Sequence, residues 1–123
     1  MIANIGWKME NCYTHKHEII KEKLNNSSDY KTAVEDMSNM FSLLGEETRM
    51  KILLALMEGE LCVYHICEIT GGKQSAISQH LRKLKDNHII KSRKEANQVL
   101  YSINDEHIVK IIDMALEHRN CRD

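Results

Sequence analysis

Residues 73–86 read KQSAISQHLRKLKD, and the fold turns on how they are taken. Ile77, Leu81 and Leu84 recur at spacings of four and three, which puts them on one apolar face of a helix. Ser75, Ser78, Gln79 and Arg82 fall on another face. They are short or forked hydrogen-bonders, the types that reach base edges and phosphates. Just upstream, residues 61–70 carry a second short helical pattern, and Gly71-Gly72 follows. Helix, glycine turn, polar-faced helix is the order of a helix-turn-helix. Taken alone, the stretch also fits an ordinary amphipathic surface helix. The residues after it decide between the two.

Ile89-Ile90-Lys91-Ser92-Arg93-Lys94 leads into a turn at Glu95-Ala96-Asn97, and Gln98 to Ile103 follows. In the second run Val99, Tyr101 and Ile103 alternate with Leu100 and Ser102, so the pair reads as a β-hairpin. A helix-turn-helix followed by a basic hairpin is a winged helix. Charge supports this order. Residues 73–94 hold seven basic side chains against Asp86, a local +6 in a chain whose net charge is −1. Such a block is the electrostatic footprint of a DNA reader. The expected DNA contacts are Lys73, Gln74, Ser75, Ser78, Gln79, His80, Arg82 and Lys83 on the helix, and Lys91, Arg93 and Lys94 on the wing.

Further out, residues 1–30 read as a polar N-terminal arm, and residues 31–123 as one DNA-binding and dimerisation domain. Asn25 to Asp29 read as a linker ending in a helix cap. Ala33, Val34, Met37, Met40, Phe41 and Leu44 then mark an amphipathic helix ending near Gly45, and a second runs over roughly residues 48–57. The chain has 123 residues, no Pro and five Gly, which favours a mainly α fold. No apolar run is long enough to span a membrane, so the expected location is cytoplasmic. There the four cysteines are expected to be thiols or metal ligands rather than disulfides.

The last segment, residues 105–122, is a helix with two stripes. Ile108, Ile112, Ala115 and Leu116 form one face. His107, Ile111, Met114, His118 and Cys121, spaced four, three, four, three, form the seam of a helix pair. Asp105, His107, His118 and Cys121 are all metal-ligand types. His107 and His118 lie about 16 Å apart along one helix, whereas zinc donors sit within ~2.0–2.3 Å of the ion. One helix cannot bring both to one metal. Two antiparallel copies can, if Asp105 and His107 of one chain meet His118 and Cys121 of the other, which gives two identical sites in a homodimer. The O, N, N, S set suits Zn(II), with Co(II) as surrogate, and the thiolate tilts it towards Cd(II). The plainer alternative is surface histidines.

A second constellation is looser. Cys62 and His65 are three apart on one helix face, Cys67 points away, and Cys12, His15 and His17 stand in the arm. Together they read as a possible thiolate-rich metal site, or as buried thiols packing the fold.

These residues resemble the ArsR/SmtB family of metal-responsive bacterial repressors over about residues 31–122. FSLLGEETRMKILLAL is similar to its second-helix signature and ELCVYHIC to its metal-binding helix. QSAISQHLRKLKDNHIIKSRKE resembles its recognition helix and wing start, and DEHIVKIIDMALEH the C-terminal helix of its zinc sensors. The resemblance implies a dimeric repressor whose operator binding weakens when metal binds. Two departures stand out: Tyr64 replaces the second thiol of the C-V-C-D pattern of the arsenic and cadmium sensors, and Cys121 replaces a final Glu or His. The alternatives are a thiol-redox repressor switched by Cys62 and Cys67, and a constitutive DNA binder with a structural metal. An enzyme is not expected, because no phosphate loop, nucleophile elbow or H-E-x-x-H occurs.

Overall fold

The computed structural model describes residues 15–121. In chain order the elements are α1 (His15–Asn26), α2 (Ser28–Leu44), α3 (Glu47–Leu56), β1 (Leu61–Cys62), α4 (Val63–Thr70), α5 (Gln74–Asp86), β2 (Ile90–Glu95), β3 (Gln98–Ile103) and α6 (Glu106–Arg119). The chain divides into two units, 1–39 and 40–123.

In the first unit the expected polar arm contains a helix, α1, and the expected linker over residues 25–29 shrinks to a break at Ser27. The Ser27 carbonyl accepts the Lys31 N–H at 3.0 Å, so helical bonding resumes within one residue. Polar composition hid α1, although Glu, Lys, Leu and Ile all tolerate helix well.

The second unit is built on α3, α4, α5 and the sheet. Ile52, Leu53, Ile66, Ile77, Leu81, Leu84, Ile89 and Ile90 are fully buried, and Ile108 and Ile112 seat α6 on the same core. Each such side chain contributes roughly 1.5–3 kcal/mol on burial. The expected periodicity of α5 is therefore the face that holds the recognition helix down.

The sheet has three antiparallel strands in the order β1-β3-β2. The hairpin was expected, but β1 was not: residues 61–70 were read as helix throughout. Leu61 and Cys62 instead pair with Tyr101 and Leu100, covering the edge of β3 that β2 leaves open. In the wing, Glu95 pairs with Gln98, so the turn is two residues, Ala96 and Asn97, with Ala96 at φ 54°. Gly71 ends α4 at φ 76°, its N–H donating to the Cys67 carbonyl at 2.8 Å. That left-handed step is open to glycine at little steric cost.

Candidate functional site

Burial of Ile77, Leu81 and Leu84 fixes which side of α5 faces out. Lys73, Gln74, Ser75, Ser78, Gln79, Arg82 and Lys83 are all exposed. Lys73 occupies the N-cap position without a side-chain cap bond. His80 differs, being half-buried, with its Nδ1 3.3 Å from Nη1 of Arg49. The Nε of the same arginine donates to the Leu43 carbonyl at 2.8 Å. Arg49 thus ties the end of α2 to the middle of α5, and His80 serves that tie. Between α5 and β3 a cleft of about 360 Å³ is lined by Ser78, Leu81, Arg82, Lys85, Asp86 and Tyr101. Two cations, a hydroxyl and a phenol suit a backbone phosphate, against which the Asp86 carboxylate in the same lining acts. Lys85 and Tyr101 were not among the expected contacts. Tyr101 read only as a strand residue, and its approach to α5 depends on long-range packing.

On the wing, Lys91 and Lys94 are exposed, as a phosphate contact needs. Arg93 departs from the expectation. Its Nε and Nη2 donate to the two carboxylate oxygens of Glu60 at 2.8 Å, and its Nη1 donates to Glu95 at 2.6 Å. The hydrogen bonds it donates to Glu60, then Glu95, push the guanidinium pKa up, and the same contact holds the Glu60 carboxyl below the usual range. Glu60 lies 33 residues upstream, beyond any local pattern.

The α6 donors lie in two exposed pairs, one at each end of the helix. Asp105 is the N-cap: its Oδ1 accepts from the N–H of His107 at 2.9 Å and of Ile108 at 3.2 Å. The imidazole Nδ1 of His107 is 3.5 Å from that oxygen. At the other end Cys121 N–H bonds the His118 carbonyl at 2.9 Å. Among the described residues, no three His, Cys, Asp or Glu side chains gather around one point within the chain. Between the pairs, Met114 is 64% exposed on the expected seam. A groove of about 320 Å³, almost wholly apolar, shares Ile111 with that seam and runs between Phe41, Met50, Leu54, Ile111 and Leu116.

Of the second constellation, the structure brings together Cys62 and His65, Sγ to Nδ1 at 3.3 Å. Tyr64 sets its ring edge-on to His65, centroids 5.5 Å apart, and its hydroxyl donates to Glu68. Cys67 is a half-buried free thiol packed against the core. Cys12 and the side chain of His15 lie outside the described residues, and His17 is exposed on α1.

A helix-turn-helix backed by a three-stranded sheet with a projecting hairpin defines the winged helix-turn-helix class of DNA-binding regulators. Within it, this chain belongs to the arsR family of bacterial regulatory proteins, whose pattern residues 46–92 match. It is a transcription regulator, not an enzyme. A cadmium resistance transcriptional regulatory protein CadC homolog of Staphylococcus aureus is 40% identical over 85 residues, 68% of this chain and 70% of the relative. A transcriptional repressor SmtB homolog of Synechocystis is 30% identical over 84 residues, 68% of this chain and 64% of that protein. Among solved structures, a homodimeric winged helix-turn-helix DNA-binding domain from Mycobacterium bovis matches with a TM-score of 0.70 at 25% identity, covering 78% of this chain and 90% of that one. No helix among the described residues is long and apolar enough to cross a membrane.

Proposed function

We propose that this chain is a metal-sensing repressor, cytoplasmic and homodimeric, that binds operator DNA and is released when a divalent ion binds. The face of α5 and the wing lysines contact DNA, one α5 per half-site in successive major grooves. The α6 helices of two copies pair antiparallel. Asp105 and His107 of one copy then join His118 and Cys121 of the other to hold Zn(II), or Co(II) or Cd(II) in its place. The observation that carries this reading is the split of the α6 donors into two exposed pairs, flanking an exposed Met114 and an apolar groove. Each pair alone is too small a set for a four-coordinate ion. The groove gives two copies a reason to meet along this side, and the homodimeric relative and the cadmium-resistance name of the S. aureus protein support the same reading.

When bound, the ion supplies charge and fixed coordination that tie two helix ends. Its effect on DNA must come from a higher affinity for one dimer geometry than for the other. A coupling of about 1–3 kcal/mol corresponds to a roughly 5–150-fold loss of operator affinity.

The test begins with a duplex selected by the protein from a randomised pool. Zn(II) is titrated into the complex, and anisotropy follows wild type and His118→Ala. Release of wild type alone is the expected result; equal release of both would falsify the α6 site. Release by peroxide in place of metal, abolished in Cys67→Ser, would establish the thiol-redox alternative on Cys62 and Cys67. The 3.3 Å approach of Cys62 to His65 favours a second, independent donor pair at the start of α4.

A further inference from the structure

Arg93 occupies the middle of β2, where a winged helix offers cations to the DNA backbone, yet its charge is already engaged. Both oxygens of Glu60 and one of Glu95 take all three donor nitrogens, at 2.8, 2.8 and 2.6 Å. Two carboxylates thus surround one guanidinium, leaving a local charge of −1 at a position that composition counts as +1. The two acids come from different places. Glu95 is two residues along the same strand, hence on the same face. Glu60 lies immediately before β1, at the far edge of the sheet from β2. Its two-pronged grip has the strongest geometry open to an arginine and a carboxylate. All three side chains stay wet: 51% exposed for Arg93, 37% for Glu60 and 60% for Glu95. Exposed as they are, these pairs are screened by salt and open to competing anions, although the two-pronged geometry makes the grip on Arg93 firmer than that of a single-bond surface pair.

We propose that Glu60 and Glu95 form an acidic brake on the wing, occupying Arg93 so that a DNA phosphate must displace two carboxylates before the wing contributes this cation. The proposal rests on the reading of the wing as a DNA contact. Phosphates carry no sequence information, so the brake weakens binding to all duplexes alike. Base contacts from α5 then make up a larger share of whatever affinity remains. For a regulator competing against a genome of non-specific sites, that share decides occupancy. Lys91 and Lys94 are exposed, and the charge of Lys91 also acts on the Glu60 carboxylate.

The test uses the full chain and a mixed-sequence duplex, with affinity measured by anisotropy from roughly 50 to 200 mM salt. Four proteins are compared: wild type, Arg93→Ala, Glu60→Gln with Glu95→Gln, and the triple variant. Thermal unfolding of each shows that the wing still folds. Releasing the brake should raise affinity roughly tenfold at 50 mM salt and steepen the log–log salt slope by about 0.9 per wing, the size of one more neutralised phosphate. Arg93→Ala should lower affinity less in wild type than in the released protein, where it should also remove the added salt slope. Glu106→Gln with Asp113→Asn, which removes the same two charges from exposed positions of α6, should give neither effect. Two results overturn the brake. One is an Arg93→Ala loss as large in wild type as in the released protein. The other is a released protein whose affinity and slope match wild type. Wild type that binds no duplex at all would remove the DNA reading itself.

Discussion

The Oδ1 of Asp105 accepts the backbone N–H of His107 at 2.9 Å. One carboxylate therefore caps α6 and stands beside the imidazole with which it is proposed to share a metal ion. The two roles separate by substitution. Asp105→Ala removes both, and should lower the stability of the apo protein by about 1 kcal/mol in urea unfolding. Asp105→Asn keeps a good cap and should leave apo stability near wild type. Both should weaken Zn(II) binding. If Asn proves as destabilising as Ala, the cap is not what the carboxylate contributes.

Two adjacent glycines should fail for different reasons. Gly71 has open space around a would-be Cβ, but its φ of 76° is left-handed. Gly71→Ala should cost about 1–2 kcal/mol from backbone strain. At Gly72 a Cβ would lie 2.8 Å from Cδ1 and 2.9 Å from Cγ1 of Ile77, which is fully buried and cannot swing away. Gly72→Ala should cost about 1–3 kcal/mol by overpacking. Pairing each with Ile77→Val separates them: the smaller side chain should rescue Gly72→Ala in part and leave Gly71→Ala unimproved.

The helix-turn-helix and hairpin were readable because their signals are local. Ile77, Leu81 and Leu84 repeat at helical spacing, and all three are buried in α5. What escaped was set by partners far along the chain. A two-residue strand has no period, so Leu61 and Cys62 were absorbed into the helix after them; their pairing lies with Tyr101 and Leu100, some forty residues on. The basic character of Arg93 was legible, but its neutralisation by Glu60 was not. The approach of His80 to Arg49, 31 residues away, was equally out of reach of any local pattern. The donor types of α6 could be listed from sequence, and the fold now sorts them into two exposed ends.

His88 sits at φ 62° and Ala96 at φ 54°, both left-handed and neither glycine. Each holds a tight connection: His88 the step from α5 into β2, Ala96 the wing turn. His88→Gly and Ala96→Gly should each stabilise the protein by about 0.5 kcal/mol or more, strain relief outweighing the added freedom of the unfolded chain. Urea midpoints check this, and a fall in both would mean that side-chain contacts outweigh the strain.

Acid should act partly through Glu46. Its carboxylate accepts the Arg49 N–H at 2.8 Å, and that backbone hydrogen bond is the main cause of a pKa below the ordinary 4.5. A carboxyl lowered in the folded state stabilises above its unfolded pKa, and the contribution is lost as pH falls through the folded value. Glu60, lowered by its hydrogen bond from Arg93, behaves the same way. Stability should therefore decline below about pH 4.5. Glu46→Gln should flatten the decline while leaving its high-pH side lower than wild type. An unchanged profile in Glu46→Gln would remove this cap from the acid response.

Cys62 Sγ and His65 Nδ1 are in hydrogen-bonding contact at 3.3 Å, slightly closer than a single bound ion would hold them. Zinc-like ions hold sulfur at about 2.3 Å and nitrogen at about 2.0–2.1 Å, which at a near-tetrahedral angle spaces the donors by roughly 3.5 Å. Ordering these two side chains has therefore already been offset by folding. The α6 thiolate must be absent for the readout, so the prediction is made in His118→Ala with Cys121→Ser. Two donors leave coordination positions to water, so Co(II) added in excess to that protein should give a weakly held sulfur-to-metal charge-transfer band in the near ultraviolet. Cys62→Ser should abolish the band, His65→Ala should weaken the binding that produces it, and Cys67→Ser should leave it in place. If the α6-deficient protein shows no band, the 3.3 Å contact is a hydrogen bond that helps begin α4, and metal sensing rests on the C-terminal helices alone.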